Sequence, residues 1–382
     1  MSADDETHSW SPTPDHVQSA SEMTRYRVTT NVTTVEQLRR RDRSALGGYV
    51  ARRMENWSGN VTFSARSIAA ADSVEQLQAI VAEAAARRRR VGVVGAGHSF
   101  SPIADTDGVL VTTDRLDEIG EIEQVDGETT ITIESGVRLA ALATHLHARG
   151  WALHNLPSLT HLTVVGADST ATHSSGDANP SLAGAVVALD VVGPDGGIER
   201  IDRSHPAFAA SVVGLGVMGV VARLVVRVVP TFDIAQTVWL GLGFDAAQER
   251  LDEILGLGDS VSLFTEWRDD EFSQVWVKRR PGSTLDRSAL AGKRPADRTM
   301  HPIVGVDAAA CTEQLDRPGP WHERLPHFRP DHRPSAGALA GSGRRDLSGC
   351  RRIRPQGGTS PATTGTDARP CLCVWRRRPG TT

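Results

Sequence analysis

The chain has 382 residues, 39% of them hydrophobic and 23% charged, with a formal net charge of −4. Such a length suits two domains better than one, the composition is that of a globular protein, and the charge excludes nucleic acid or an anionic membrane surface as an obvious partner. The cysteines are Cys311, Cys350, Cys371 and Cys373, so no disulfide framework holds the first 310 residues and a reducing compartment fits. The N-terminal MSADDETHSW is acidic and has no apolar core of a signal peptide. No apolar run approaches the ~20 residues of a membrane helix. A cytoplasmic protein without a membrane span is expected.

Residues 1–53 are polar and irregular, with a basic stretch from Leu38 to Arg43, and read as a disordered extension. Ser73 and Gln76 form a capping-box pattern, and Val74, Leu77, Ile80, Val81 and Ala84 continue it as a helical stripe. Strands are predicted at Val91 to Val94, Val109 to Val111 and Thr130 to Ile133. Leu139, Leu142, Ala143 and Leu146 make a second helical stripe, with Gly150 at the C′ position. Val186 to Val192 and Ile198 to Ile201 flank a Gly-Pro-Asp-Gly-Gly turn and read as a hairpin; Val220 to Val229 is a long β-branched strand ended by Pro230. Helices mixed with hairpin strands argue for an α+β fold rather than a simple parallel repeat. From 231 to about 330 the sequence carries two more strands, around Val261 to Phe264 and Val275 to Lys278, and the tryptophans Trp239, Trp267, Trp276 and Trp321.

The chemistry begins at Val91-Gly-Val-Val-Gly-Ala-Gly-His98. Consecutive N–H groups in a glycine turn can converge on an anion, and glycine lets the backbone approach a pyrophosphate. The Rossmann spacing wants a third glycine at position 100, where Phe100 stands. The loop alone therefore fits a tight surface turn as well as a phosphate cradle. Two further clusters, Gly166 to Gly176 and Gly214 to Gly219, feed the same region. Three such clusters in one mixed domain suggest a large cofactor lying along it. His98, on the lip of the first loop, is either an ordinary hydrogen-bonding residue or a neutral nucleophile beside the cofactor, able to bond a reactive ring methyl of a flavin.

Val91 to Phe100, Leu156 to Gly176 and Gly214 to Val221, with Asn56-Trp57-Ser58-Gly59-Asn60 before them, resemble the FAD-binding domain of the vanillyl-alcohol oxidase type. Ser260 to Trp267, Val275 to Arg280, Cys311 to Gln314 and Pro318 to Arg329 extend the likeness to the alditol oxidases within that family. The resemblance implies a two-part FAD-binding domain over 54–230, followed by an incomplete α+β substrate domain over 231–330. It implies FAD as cofactor, bonded covalently through His98, with Val93, Val94, Gly95, Ala96, Gly97 and Ser99 forming the pyrophosphate loop. Thr163, Gly166, Ala167, Asp168, Ser169, Thr170 and Val221 would be further cofactor contacts, and Ser158 would touch both flavin and substrate as the catalytic serine. A carboxylate at Asp168 is unfavourable near an anionic cofactor unless it is exposed or hydrogen-bonded. Ala171 and Ser174 stand where the family has glycines. The implied reaction oxidises a terminal alcohol of a polyol such as xylitol or sorbitol, with dioxygen taking the electrons as hydrogen peroxide.

The likeness stops near Pro330. Residues 331–382 are rich in Arg, Gly and Pro and carry no helical or strand period. They lack the Glu-x-Arg pair and the lysine that the resemblance would place there. A shifted reading frame or a decayed gene near residue 330 accounts for such text; a genuine disordered tail is the rival. A metal hydrolase is a poor fit, since His145 and His147 are two apart and no His-Glu-x-x-His occurs. So is a serine hydrolase, for want of a Gly-x-Ser-x-Gly. His154, His161 and His173 read as structural. The alternatives that remain are an aldonolactone oxidase or dehydrogenase, and an inactive flavin-binding remnant.

Overall fold

A computed structural model describes residues 33–34, 54–283 and 286–330. Apart from Thr33–Thr34, which pairs in parallel with Met54–Glu55, the expected extension over 1–53 and the tail over 331–382 lie outside the described residues.

The first layer is built from β1 (Ser67–Ala70), α1 (Val74–Ala86), β2 (Val91–Val94) and β3 (Val109–Thr112). β3 lies between β1 and β2, and all three strands run parallel. Ser73 caps α1, accepting a hydrogen bond from the Gln76 N–H at 3.2 Å. The Gln76 side chain returns to the N–H of Asp72 at 2.5 Å, one residue earlier than a capping box has it.

A second, antiparallel sheet follows. It contains β4 (Ile119–Val125), β5 (Glu128–Glu134), β6 (Val186–Val192), β7 (Ile198–Asp202) and β8 (Val220–Arg227) in the order β7-β6-β8-β5-β4. The predicted hairpin is β6–β7. α2 (Leu139–His147) and α3 (Val164–Ser169) enter between β5 and β6. Ala148 is the C-cap of α2, so Gly150, at φ +81°, takes the C″ position rather than the predicted C′. The chain needs another residue to turn because Ala148 still has helical angles.

α1 joins the two sheets. Its Leu77 and Val81 pack with Val109 and Val111 of the parallel sheet and with Val192, Val220 and Ala222 of the antiparallel one. The larger core lies over α2, where Leu142 and Leu146 meet Ile131, Leu189 and Leu224. Mixed sheets and helices make the molecule α+β, as the hairpin pattern implies.

The third sheet is antiparallel, with β9 (Asp233–Gly243) between β11 (Glu271–Arg279) and the short Arg294–Pro295 pair, and β10 (Ser260–Phe264) outside β11. β10 and β11 contain the two predicted strands; β9 carries little alternation in sequence because Ile234 to Trp239 are all buried, on both faces. The tryptophans do not form one cluster. Trp239 and Trp276 fill different faces of this sheet, Trp321 joins the core over α2, and Trp267 is 47% exposed.

Trp321 and Ser175 are among the contacts that tie this sheet to the rest. Trp321, at the start of α4 (Trp321–Arg324), is fully buried among α2 residues. The loop after α3 docks on β10, where the Ser175 hydroxyl is 2.6 Å from that of Ser260 and 3.0 Å from that of Ser262. Leu142→Ala is expected to cost about 2–5 kcal/mol in urea denaturation, the range for deleting a fully buried leucine; a loss under about 1 kcal/mol would show that the α2 core collapses to fill the gap.

Candidate cofactor site

β2 ends at Val94, and the loop Gly95 to Ser101 crosses the edge of the parallel sheet. Gly97 takes φ +65°, which glycine adopts without strain. The carbonyls of this loop are held from one side by the segment Asn56–Asn60. Trp57 N–H donates to Gly97 O at 2.7 Å. Asn56 Nδ2 donates to Ser99 O at 2.8 Å and Asn60 Nδ2 to Phe100 O at 2.9 Å. A trans peptide points its N–H opposite to its C=O. The N–H groups of His98, Phe100 and Ser101 therefore face away from that segment. None of the N–H groups of Ala96, Gly97, His98 and Ser99 donates to an acceptor among the described residues.

These groups line a cavity of about 590 Å³, within the range of small-molecule sites. All three glycine clusters converge there. Val93 through Ser99 come from the first, Thr163, Gly166, Ala167, Ser169 and Thr170 from the second, and Leu215, Gly216, Gly219 and Val221 from the third. A register shift between β8 and β6 falls just after Val221, between Val221 and Arg223, and re-aims the strand beside the cavity. Gly95 and Gly219 leave no room for a side chain: a Cβ on Gly95 would lie 2.2 Å from Thr163 Oγ1, and one on Gly219 2.7 Å from Val191 Cγ1. A row of unpaired N–H donors over a glycine floor fits a diphosphate, and the apolar Val91, Val93, Leu162 and Val165 in the same lining fit an aromatic ring system.

Ser158 and Asp168 are absent from the lining. Ser158 is half-buried. Asp168 is 2% exposed and neither carboxyl oxygen has a hydrogen-bond partner. It is thus neither exposed nor bonded. Burial instead pushes its carboxyl up to about 8, so at neutral pH it is protonated and carries no charge toward the cavity. Burial pushes the His98 imidazole the other way, down to about 4, and leaves it neutral as well.

Ala171 closes α3. Thr172 N–H reaches Ala167 O at 2.8 Å and Ala171 N–H reaches Asp168 O at 2.9 Å, the paired bonds of a Schellman ending. Its left-handed residue, at φ +54°, is an alanine.

Residues 65–202 match the family model of an FAD binding domain. The chain is 41% identical over 286 residues to alditol oxidase of a Streptomyces species, covering 74% of this chain and 66% of that protein. Residues 65–202 thus form an FAD binding domain, in a chain similar to alditol oxidase. It is 32% identical over 218 residues to L-gulono-1,4-lactone dehydrogenase of Mycobacterium tuberculosis, covering 55% of this chain and 48% of that one. Cholesterol oxidase from B. sterolicum shares the fold, with a TM-score of 0.53 at 14% identity over 61% of this chain and 48% of its own. The chain thus spans between about half and two thirds of the length of these relatives.

Sequence reasoning gives no role to Asn56–Asn60, whose two asparagines and tryptophan fix the loop. The Asn and Gly density of that segment is the only local signal. No helix among the described residues is long and apolar enough to cross a membrane, and none of their His, Cys, Asp and Glu side chains group to hold a metal.

Two outcomes follow from Asp168 and Ala171. An Asp raised from 3.8 to about 8 on folding stabilises the protein below pH 4 and loses that contribution as pH rises to about 8. The stability of wild type relative to Asp168→Ala should therefore fall by on the order of 1.4 kcal/mol per pH unit across that window and stay flat above it; a pH-independent difference in denaturation midpoints would refute the buried, unpaired carboxyl. Ala171→Gly should raise stability by about 1 kcal/mol in the same assay, relieving the left-handed alanine.

Proposed function

We propose that this chain is an FAD-dependent oxidase of terminal alcohols of sugar alcohols such as xylitol or sorbitol, turning over with dioxygen and releasing hydrogen peroxide. The observation that carries the reading is the convergence of three glycine clusters and His98 on one cavity, in a chain 41% identical to alditol oxidase. Residues 54–230 are read as the FAD-binding domain and 231–330 as part of the substrate domain.

Bound FAD would supply the two-electron acceptance that alcohol oxidation requires. The protein's own part is positional. The N–H groups of Ala96 to Ser99 hold the diphosphate, and Thr163 packs between Gly95 and Gly166 to fix the loop against α3. Neutral Asp168 adds no repulsion. His98, uncharged at neutral pH, keeps a nitrogen lone pair and is the residue we assign to the covalent bond with the flavin. Ser158, which is not among the residues lining the cavity, is the side chain we assign to both flavin and substrate, on the resemblance alone.

The lactone dehydrogenase likeness supports a second reading, oxidation of an aldonolactone. A third is a flavin-binding remnant without turnover; it is favoured by residues 331–382, which are rich in Arg, Gly and Pro and carry neither the Glu-x-Arg pair nor the lysine. Cys311 is a buried thiol without a disulfide partner, which fits the cytoplasmic location we infer.

Purified protein should give a yellow acid precipitate, and His98→Ala should release all its flavin to the supernatant. Peroxide should form with xylitol or sorbitol faster than with a lactone. A colourless wild-type precipitate would remove the covalent role of His98. Peroxide only with the lactone would favour the second reading, and none with either substrate the third.

A further inference from the structure

The imidazole of His98 is gripped from two sides. The Trp57 ring lies 4.3 Å away, centroid to centroid, at a tilt of 41°. From another side His161 Nε2 stands 3.2 Å from His98 Nδ1, the two rings meeting edge-on at 72°. Two imidazole nitrogens at that distance share one hydrogen, donated by one ring to the lone pair of the other.

His161 is itself firmly placed. Arg138 Nη1 donates to its carbonyl oxygen, while Arg138 Nη2 reaches Asp114 at 3.2 Å. On either side of it, Thr160 O accepts from Ala140 N–H at 2.8 Å and Leu162 O accepts from Leu139 N–H at 2.9 Å. The backbone around His161 is thus pinned to the first turn of α2, whose Leu139 and Leu142 are fully buried. A side chain on so rigid a base can hold a partner's orientation.

We propose that His161 is the positioning residue for cofactor attachment at His98: it fixes the ring orientation and tautomer of His98 and accepts the proton His98 gives up. This rests on the covalent reading above. In the reaction one N–C bond forms between the imidazole and a ring methyl carbon. The methyl loses one hydrogen as a proton and the imidazole loses its N–H proton. The two electrons released pass by way of the flavin ring to dioxygen, which takes up two protons and leaves as hydrogen peroxide. A buried imidazole resists carrying a positive charge, so its proton needs an acceptor in place. His161 Nε2 is at hydrogen-bonding distance for that transfer.

Full-length wild type, His161→Ala, His161→Gln and His98→Ala are incubated with added FAD. Flavin in the acid precipitate is followed in time, and total bound flavin is measured separately by fluorescence quenching. His161→Ala should bind FAD within a few-fold of wild type but attach it about 100-fold more slowly, the lower range for loss of a proton acceptor. Imidazole in the buffer should restore part of the rate. His161→Gln, which can hydrogen-bond but not take the proton, should also be slow. Attachment at the wild-type rate in His161→Ala overturns the proposal. So does a loss of FAD binding in both His161 variants in step with attachment, which would make the residue structural. If wild type attaches no flavin, or His98→Ala still does, the covalent reading itself fails and takes this proposal with it.

Discussion

The site depends on which way a few peptide planes face. The loop after β2 could present its carbonyls or its N–H groups to the cavity, and an anion tolerates only the second. For the peptides that carry the N–H groups of His98, Phe100 and Ser101 the choice is made from outside, by Trp57 N–H and the side-chain amides of Asn56 and Asn60, which take the carbonyls of Gly97, Ser99 and Phe100. Every other element serves that arrangement. The parallel sheet sets where the loop starts, α3 brings Thr163 against Gly95, and β8 supplies the opposite wall.

Burial does a second piece of work here. Both perturbed ionisable groups at this end of the molecule are held uncharged: the Asp168 carboxyl by protonation and the His98 imidazole by staying deprotonated. In a poorly solvated site a full negative charge would oppose a diphosphate, and a positive imidazole would have no lone pair to offer. With both neutral, fixed backbone dipoles carry the anion recognition. Such dipoles need no reorganisation when the ligand arrives.

The parts of this structure legible in the sequence are those governed by local pattern. The stripe from Val74 to Ala84, the cap at Ser73 and the hairpin around Gly193 to Gly197 are set by residues within a few positions of one another, and they stand where the pattern puts them. The three glycine clusters were readable for the same reason, since glycine density marks close backbone approach. That they meet at one cavity is a tertiary fact. So is the clamp, in which residues 56–60 act on residues 97–100 across some 40 positions of sequence. β9 was obscured because a strand buried on both faces loses its alternation. His161 read as an ordinary structural histidine because its significance lies wholly in a neighbour 63 residues away.

The cavity also divides polarity along its walls, and that division bears on how its two halves arise. Its donors come from backbone, in a stretch where glycine and small residues prevail. Its apolar surface comes from side chains of β2, α3 and β8, strands and helix whose other faces build the core. Val220 shows the economy of this: it lines the cavity and also packs with Leu77 and Val192 in the α1 core. The same β-branched residues thus hold the two sheets together and form the wall against which a ring can lie. Because the wall is core, its shape is fixed by close packing before any ligand binds. The loop, which has little packing of its own, obtains its rigidity from the hydrogen bonds of Asn56 to Asn60. A preformed site of this kind asks little ordering of the protein on binding, and that lowers the entropy cost of holding a large cofactor.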